Sequence, residues 1–222
     1  MIKEQVTGIL QKLPEGVQLV GAAKTRTPLE ILEAVEAGLQ IIGENYVQEA
    51  EQAFELIGRK VQWHMIGHLQ TNKVKKAVRF FDMIETLSSL KLAKELQRCC
   101  EKIGRTMPVL VEINSAEESQ KTGVLPAEAI SLIQEASVLE RVKIMGLMTM
   151  GPFSPDPEDS RLPYRRTKDI FDTLQKMNIP RVEMKYLSMG MSDSYLVAIE
   201  EGANLVRIGT KLFGERTTSN AP

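Results

Sequence analysis

Apolar positions along the chain fall into short β-rich runs separated by longer stretches with helical spacing. Residues 2–13 carry apolar side chains three and four apart and predict an amphipathic opening helix. The β-rich runs are "VQLVGAA", "LQIIG", "VQWHMIG", "FDMIETL", "PVLVEIN", "VKIMGLMTM", "MKYLSM" and "NLVRIG". Helices are expected between or after them over residues 28–37, 45–57, 71–78, 89–103, 126–137, 164–177 and 192–200. Several of these begin on Pro, Ser or Asn, and the first closes at Gly38, as helix starts and ends favour. Strands alternating with helices imply a parallel sheet. Eight such units over 222 residues predict an α/β protein, a single (β/α)8 TIM-type barrel with an extra N-terminal helix, one domain over 1–222. An open doubly wound sheet would carry a glycine-rich dinucleotide turn after its first strand, and "GAAKTRT" is not one. The segment "GPFSPDPEDSRLPYRR", 151–166, is rich in proline and charge and is expected to be an exposed loop.

Composition narrows the class. The chain is 43% hydrophobic, enough for one sizeable core. Lysine and arginine total 28 against 29 acids, a net charge of -1, so no global field recruits nucleic acid or an anionic membrane. The basic stretch "TNKVKKAVR" is expected to be a solvated helix face. Charges scattered through "MIKEQVTGILQKLPEG" leave neither a signal-peptide core nor a spanning run, so a soluble, cytoplasmic protein is expected. Cys99 and Cys100 are neighbours in a helical pattern with no partner at zinc-ligand spacing, which suits a reducing compartment and predicts no metal site.

A (β/α)8 barrel keeps its chemistry at the C-terminal ends of the strands, often with phosphate held by the loops after strands seven and eight. Those loops here are "LSMGMSDS" and "VRIGTKLFG". Glycine allows close backbone approach, free amides attract an anion, and Ser192 and Thr210 add hydroxyl donors. Lys24 ends the first strand and is expected at the same mouth. Apolar neighbours there would lower its pKa from about 10.4 and make the amine a nucleophile. A phosphate-bearing carbonyl compound is the matching ligand. Pyridoxal 5'-phosphate and the sugar phosphates of retro-aldol enzymes both satisfy that chemistry.

Taken in order, "GAAKTR", "IIGENYVQEA", "WHMIGHLQTNK", "MGLMTMG" and "LSMGMSDSYLVAIEEGANLVRIGTKLFGER" resemble the YggS/PROSC family of pyridoxal phosphate homeostasis proteins over almost the whole chain. The resemblance implies an alanine racemase-like barrel, the type III fold of pyridoxal phosphate proteins, with the cofactor held as a Schiff base on Lys24. It further implies cofactor contacts from Asn45, Ser188, Gly190, Met191, Ser192, Arg207, Gly209 and Thr210, with Arg207 on either the phosphate or the pyridine side. Ala23 departs from the serine that many members carry before the lysine. The family is regarded as buffering or delivering pyridoxal phosphate without robust catalysis, which makes apo-enzymes of that cofactor the implied recipients.

Alanine racemases take a second base from a tyrosine on a separate β domain of the partner subunit. The sequence reaches "GERTTSNAP" soon after strand eight, so two-base racemisation is not expected and no residue is assigned a catalytic role. A monomer is expected for the same reason. The alternatives are a small racemase-like enzyme using the cofactor, and a barrel that binds an ordinary phosphate metabolite without a covalent bond. His64 and His68 are expected to serve packing or local hydrogen bonds, Trp63 the core, and Glu44 the dipole of the helix that follows it. The methionines at 145, 148, 150, 189 and 191 are expected to fill gaps in the core.

Overall fold

A computed structural model describes residues 1–215. After α1 (Ile2–Leu10), strands and helices alternate: β1 (Gln18–Ala22), α2 (Pro28–Glu36), β2 (Ile41–Glu44), α3 (Val47–Ile57), β3 (Gln62–Met65), α4 (Val74–Ala77), β4 (Met83–Leu87) and α5 (Leu90–Glu101). Then follow β5 (Met107–Ile113), α6 (Ala129–Ala136), β6 (Val142–Thr149), α7 (Arg161–Met177), β7 (Val182–Ser188), α8 (Tyr195–Glu200), β8 (Leu205–Ile208) and α9 (Thr210–Phe213). The eight strands form a closed parallel barrel in sequence order, and β8 returns to β1 through pairs such as Gln18 with Leu205. This is the expected (β/α)8 barrel with its N-terminal helix. Residues 216–222 of the expected single domain lie outside the described residues. Among the described residues no helix is long and apolar enough to cross a membrane.

Local chemistry explains where the elements begin. Thr27 accepts the Glu30 amide while the Glu30 carboxylate returns to the Thr27 amide, a capping box with Pro28 in the first turn of α2. Ser89 accepts the Leu92 amide at 3.2 Å and starts α5. Strands β2, β4 and β8 are buried at every position, as parallel strands covered on both faces must be. Trp63 belongs to the shell between barrel and helices, and its indole N–H donates to the Gly58 carbonyl at 2.9 Å.

The segment 151–166 is only partly the loop its composition predicts. A 3-10 turn covers Pro157–Ser160, and α7 starts at Arg161 rather than at 164. The Asp156 carboxylate accepts the Glu158 amide at 2.9 Å, and Pro157 and Pro163 each occupy a first turn, where a missing N–H costs nothing. Prolines in helix starts imitate a loop in sequence.

Candidate functional site

The barrel interior has two layers of different chemistry. Val20, Ile41, Met83, Leu110, Met145 and Leu205 fill the lower layer with apolar side chains. Two residues further along three of those strands stand Glu85, Glu112 and Arg207, which the period of two brings to the same inward face. Above them opens a cavity of about 390 Å³ whose wall includes Lys24, Asn45, Met191, Ser192, Arg207, Gly209 and Thr210. Met150, Pro152 and Phe153 close one side, with the Phe153 ring fully exposed.

Lys24 is half-buried and follows directly on β1. The Ala23 amide donates to the Gly43 carbonyl at 2.9 Å, and the Arg26 amide turns back to the Ala23 carbonyl at 2.9 Å. Between them Thr25 has φ +65°, an unusual conformation for a β-branched residue, and its amide donates to the Glu49 carboxylate of α3 at 3.1 Å. The Arg26 guanidinium lies 5.7 Å from the Phe213 ring centre and donates to the Gly214 carbonyl, which ties the lysine-bearing turn to α9.

The turns after β7 and β8 meet across Ser192. Its hydroxyl accepts the amides of Gly209 at 3.3 Å and Lys211 at 3.4 Å. Gly190 has φ +95°, and a Cβ there would lie 2.9 Å from Tyr195 Cα. A Cβ at Gly209 would lie 3.1 Å from the Ala22 carbonyl oxygen, so glycine lets β8 approach the end of β1. Seven of the sequence-predicted residues thus share one cavity wall. Ser188 and Gly190 do not: Ser188 is fully buried below the wall, and Gly190 shapes the turn while its carbonyl accepts the Arg207 amide at 3.0 Å.

The buried chain beneath that wall is a feature that sequence reasoning missed. His64 Nδ1 lies 2.7 Å from one oxygen of Glu85, and the Ser188 hydroxyl donates to the other at 2.6 Å. Arg207 donates to Ser188 Oγ and, at 2.8 Å, to the Thr149 carbonyl. Burial pushes the Glu85 carboxyl up, but the His64 hydrogen bond and charge, Arg207 and Ser188 together hold it below the usual range. His64, expected to pack or to hydrogen-bond locally, instead reaches the next strand, 21 residues on. The available signal was a charged residue inside each of the apolar runs "FDMIETL" and "NLVRIG".

Two other carboxyls have a different character. Glu112 accepts the Thr122 hydroxyl at 2.6 Å, while burial pushes its pKa up and its second oxygen has no hydrogen-bond partner among the described residues. Glu44 is pushed up to about 8 by burial and by the charge of Glu49. The neighbouring Asn45 amide, hydrogen-bonded to this carboxyl, works in the opposite direction.

The family profile of the alanine racemase N-terminal domain matches residues 2–217. A pyridoxal phosphate homeostasis protein of Aquifex aeolicus is 42% identical over 90% of this chain and 87% of its own. The chain belongs to the pyridoxal phosphate homeostasis protein family. Among solved structures, PipY of Synechococcus elongatus without pyridoxal phosphate superposes with a TM-score of 0.90 at 33% identity, covering 96% of this chain and all of PipY. PipY with pyridoxal phosphate bound gives 0.88 at 32%, with the same coverage. An alanine racemase of Clostridium difficile matches 98% of this chain with 57% of its own length, TM-score 0.83. At 17% identity that likeness concerns the fold alone. A barrel of this kind keeps its sites at the strand C-termini, and Lys24 with the Ser192 and Gly209 turns stands there.

Proposed function

We propose that this chain binds pyridoxal 5'-phosphate, holds it through the Lys24 amine, and serves vitamin B6 and amino-acid balance by keeping and handing on the cofactor rather than by turning substrate over. The observation that carries the proposal is the shared cavity of about 390 Å³, whose wall holds both the strand-end Lys24 and the glycine- and hydroxyl-bearing turns of Ser192, Gly209 and Thr210. The donor set fits a phosphorylated aldehyde: an amine at β1, the Ser192 and Thr210 hydroxyls with the Gly209 turn, and the Arg207 cation fixed below. PipY, a relative of known structure, has pyridoxal phosphate bound. When bound, the cofactor supplies an aldehyde that an amine can capture and a ring that can accept electrons from an attached amino acid.

Each residue has a task. Thr25, gripped by Glu49, sets the direction in which Lys24 leaves the strand. Ser192 holds the two anion-binding turns at a fixed spacing, and Asn45 stands on the wall beside Lys24. Among the described residues of this wall there is no histidine, tyrosine or cysteine to face Lys24 as a second acid or base. Asp193 is there, but its side chain is 84% exposed and lies 3.9 Å from the Lys211 ammonium. This supports holding over racemisation. Apo-enzymes that need the cofactor are the fitting recipients, and the proposal places a monomer in the cytosol.

Borohydride reduction of the loaded protein followed by peptide mapping tests the proposal. A cofactor-sized mass fixed on Lys24 is expected, and the Lys24→Ala variant should carry none. A label spread over surface lysines would reject Lys24 as the holding residue. Following α-proton exchange of added amino acids by NMR tests the non-enzymatic part, which brisk exchange would overturn. Faster loading of an apo-aminotransferase from the holoprotein than from free cofactor would support handing-on.

A further inference from the structure

After β6 the chain runs as a short strap along the rim of the Lys24 cavity, and Met150, Pro152 and Phe153 belong to the cavity wall. The strap is anchored on both sides of Phe153. On one side the Lys121 ammonium donates to the Gly151 carbonyl at 2.9 Å. A Cβ at Gly151 would lie 2.5 Å from Ser160 Oγ and 2.8 Å from the Tyr164 hydroxyl, both buried, so glycine seats the chain against the start of α7. On the other side the Ser154 hydroxyl donates to the Asp159 carboxylate and accepts the Asp156 amide at 3.2 Å. Pro152 has its φ fixed by its own ring. Between these anchors the Phe153 ring packs on nothing and stands in water at the cavity rim.

In a closed barrel of eight strands β6 stands opposite β2. The wall across from the strap is made by Ala22, Asn45 and the buried Ile66, at the ends of β1, β2 and β3. Lys24 and the Ser192, Gly209 and Thr210 turns occupy the arc between the two walls. A ligand held by the amine and those turns therefore has Ala22 and Ile66 on one side and the strap on the other. We propose that Phe153 is the cover of this site, its ring folding inward onto the face of an aromatic ligand held at Lys24. The proposal rests on the cofactor reading above and adds the residue that retards release. Folding in removes the apolar surface of the ring from water and stacks it on the ligand, and both effects are favourable. It asks for rotation of one side chain while the anchors on either side stay in place. A sugar phosphate has no flat ring and gains none of the stacking, so the cover also selects between the two ligand classes that the amine and the anion cup accept.

The test loads the protein and its Phe153→Ala and Phe153→Trp variants with pyridoxal phosphate and follows release, with alkaline phosphatase destroying each molecule set free. Release about ten-fold faster than from the parent is expected for Phe153→Ala, and release no faster than the parent's for Phe153→Trp. Thermal unfolding of the three cofactor-free proteins should coincide, because the ring supports nothing in the fold. Loading should shield the indole introduced by Phe153→Trp from acrylamide, against the silent background of the fully buried Trp63. Borohydride trapping of glyceraldehyde 3-phosphate on Lys24 should be the same in the parent and in Phe153→Ala. Equal release from parent and Phe153→Ala, shifted unfolding, an indole as open to acrylamide after loading as before, or weaker trapping of the ring-less aldehyde in Phe153→Ala would each overturn the cover while the cofactor label on Lys24 stands. Failure of the parent to take the cofactor on Lys24 would overturn the cofactor reading and the cover with it.

Discussion

The lower and upper halves of the barrel interior are built from the same strands and do opposite things. Met83, Leu110 and Leu205 point inward and close the floor with hydrocarbon. Two residues later Glu85, Glu112 and Arg207 point the same way and bury charge and hydrogen bonds under the cavity. The lower layer is favoured by removal of apolar surface from water, at about 25 cal/mol per Å². The charge pair of the upper layer is tolerated because its groups satisfy one another, Glu85 having His64, Ser188 and the Arg207 charge 3.9 Å away, whereas Glu112 keeps one oxygen without a partner among the described residues. Stability and chemistry are thus separated by one pleat. Substitutions in the two layers should therefore fail in different ways.

The largest effect is expected at Glu85. Glu85→Gln leaves the Arg207 charge buried without its counter-charge and should lower stability by about 3–5 kcal/mol in urea unfolding. A loss below about 1 kcal/mol would show that the upper layer does not depend on charge balance. Because Glu85 is held below its ordinary value, its contribution is present at neutral pH and is lost as pH falls below about 4.5. The variant should lack that acid-side decline. In the lower layer, Leu110→Ala removes a fully buried side chain and should cost about 2–5 kcal/mol, while borohydride labelling of Lys24 persists in the folded protein. Labelling lost in parallel with Glu85→Gln would erase the distinction between the layers.

Glu44 extends the comparison to the outer face of β2. Its folded pKa of about 8 lies above the ordinary 4.5, so between those values the native state keeps a proton that the unfolded chain has lost. Stability should then fall as pH rises through this window, and the decline should be shallower in Glu44→Gln, whose amide cannot ionise. Parallel melting curves against pH for the two proteins would remove Glu44 from the account. The smallest effect belongs to the periphery: Thr27→Ala removes the cap of α2 and should cost about 1 kcal/mol, leaving both layers intact.

Eight strands, their order and the turns carrying Lys24, Ser192, Gly209 and Thr210 were legible in the sequence because the signals are local. A strand announces itself by apolar run length, a helix start by Pro, Ser or Asn, and a barrel site by its place after a strand. Where local chemistry has two outcomes the sequence misled: the prolines of 151–166 suit a loop and a helix start equally, and α7 took the second. Ser188 and Gly190 sit in the right motif, yet strand pleating and turn geometry put the first beneath the wall and the second behind it.

By itself the sequence determined the alternation of strands and helices, since each depends on residues a few positions apart. Only closure of the barrel decided that His64, Glu85, Ser188 and Arg207, on β3, β4, β7 and β8, become one buried hydrogen-bonded chain. Closure likewise set the Lys24 turn beside α9 and Asn45 on the wall of the same cavity. The physical reason is that charge pairing and cavity shape act through space over a few ångströms, and the distance along the chain carries no record of that proximity.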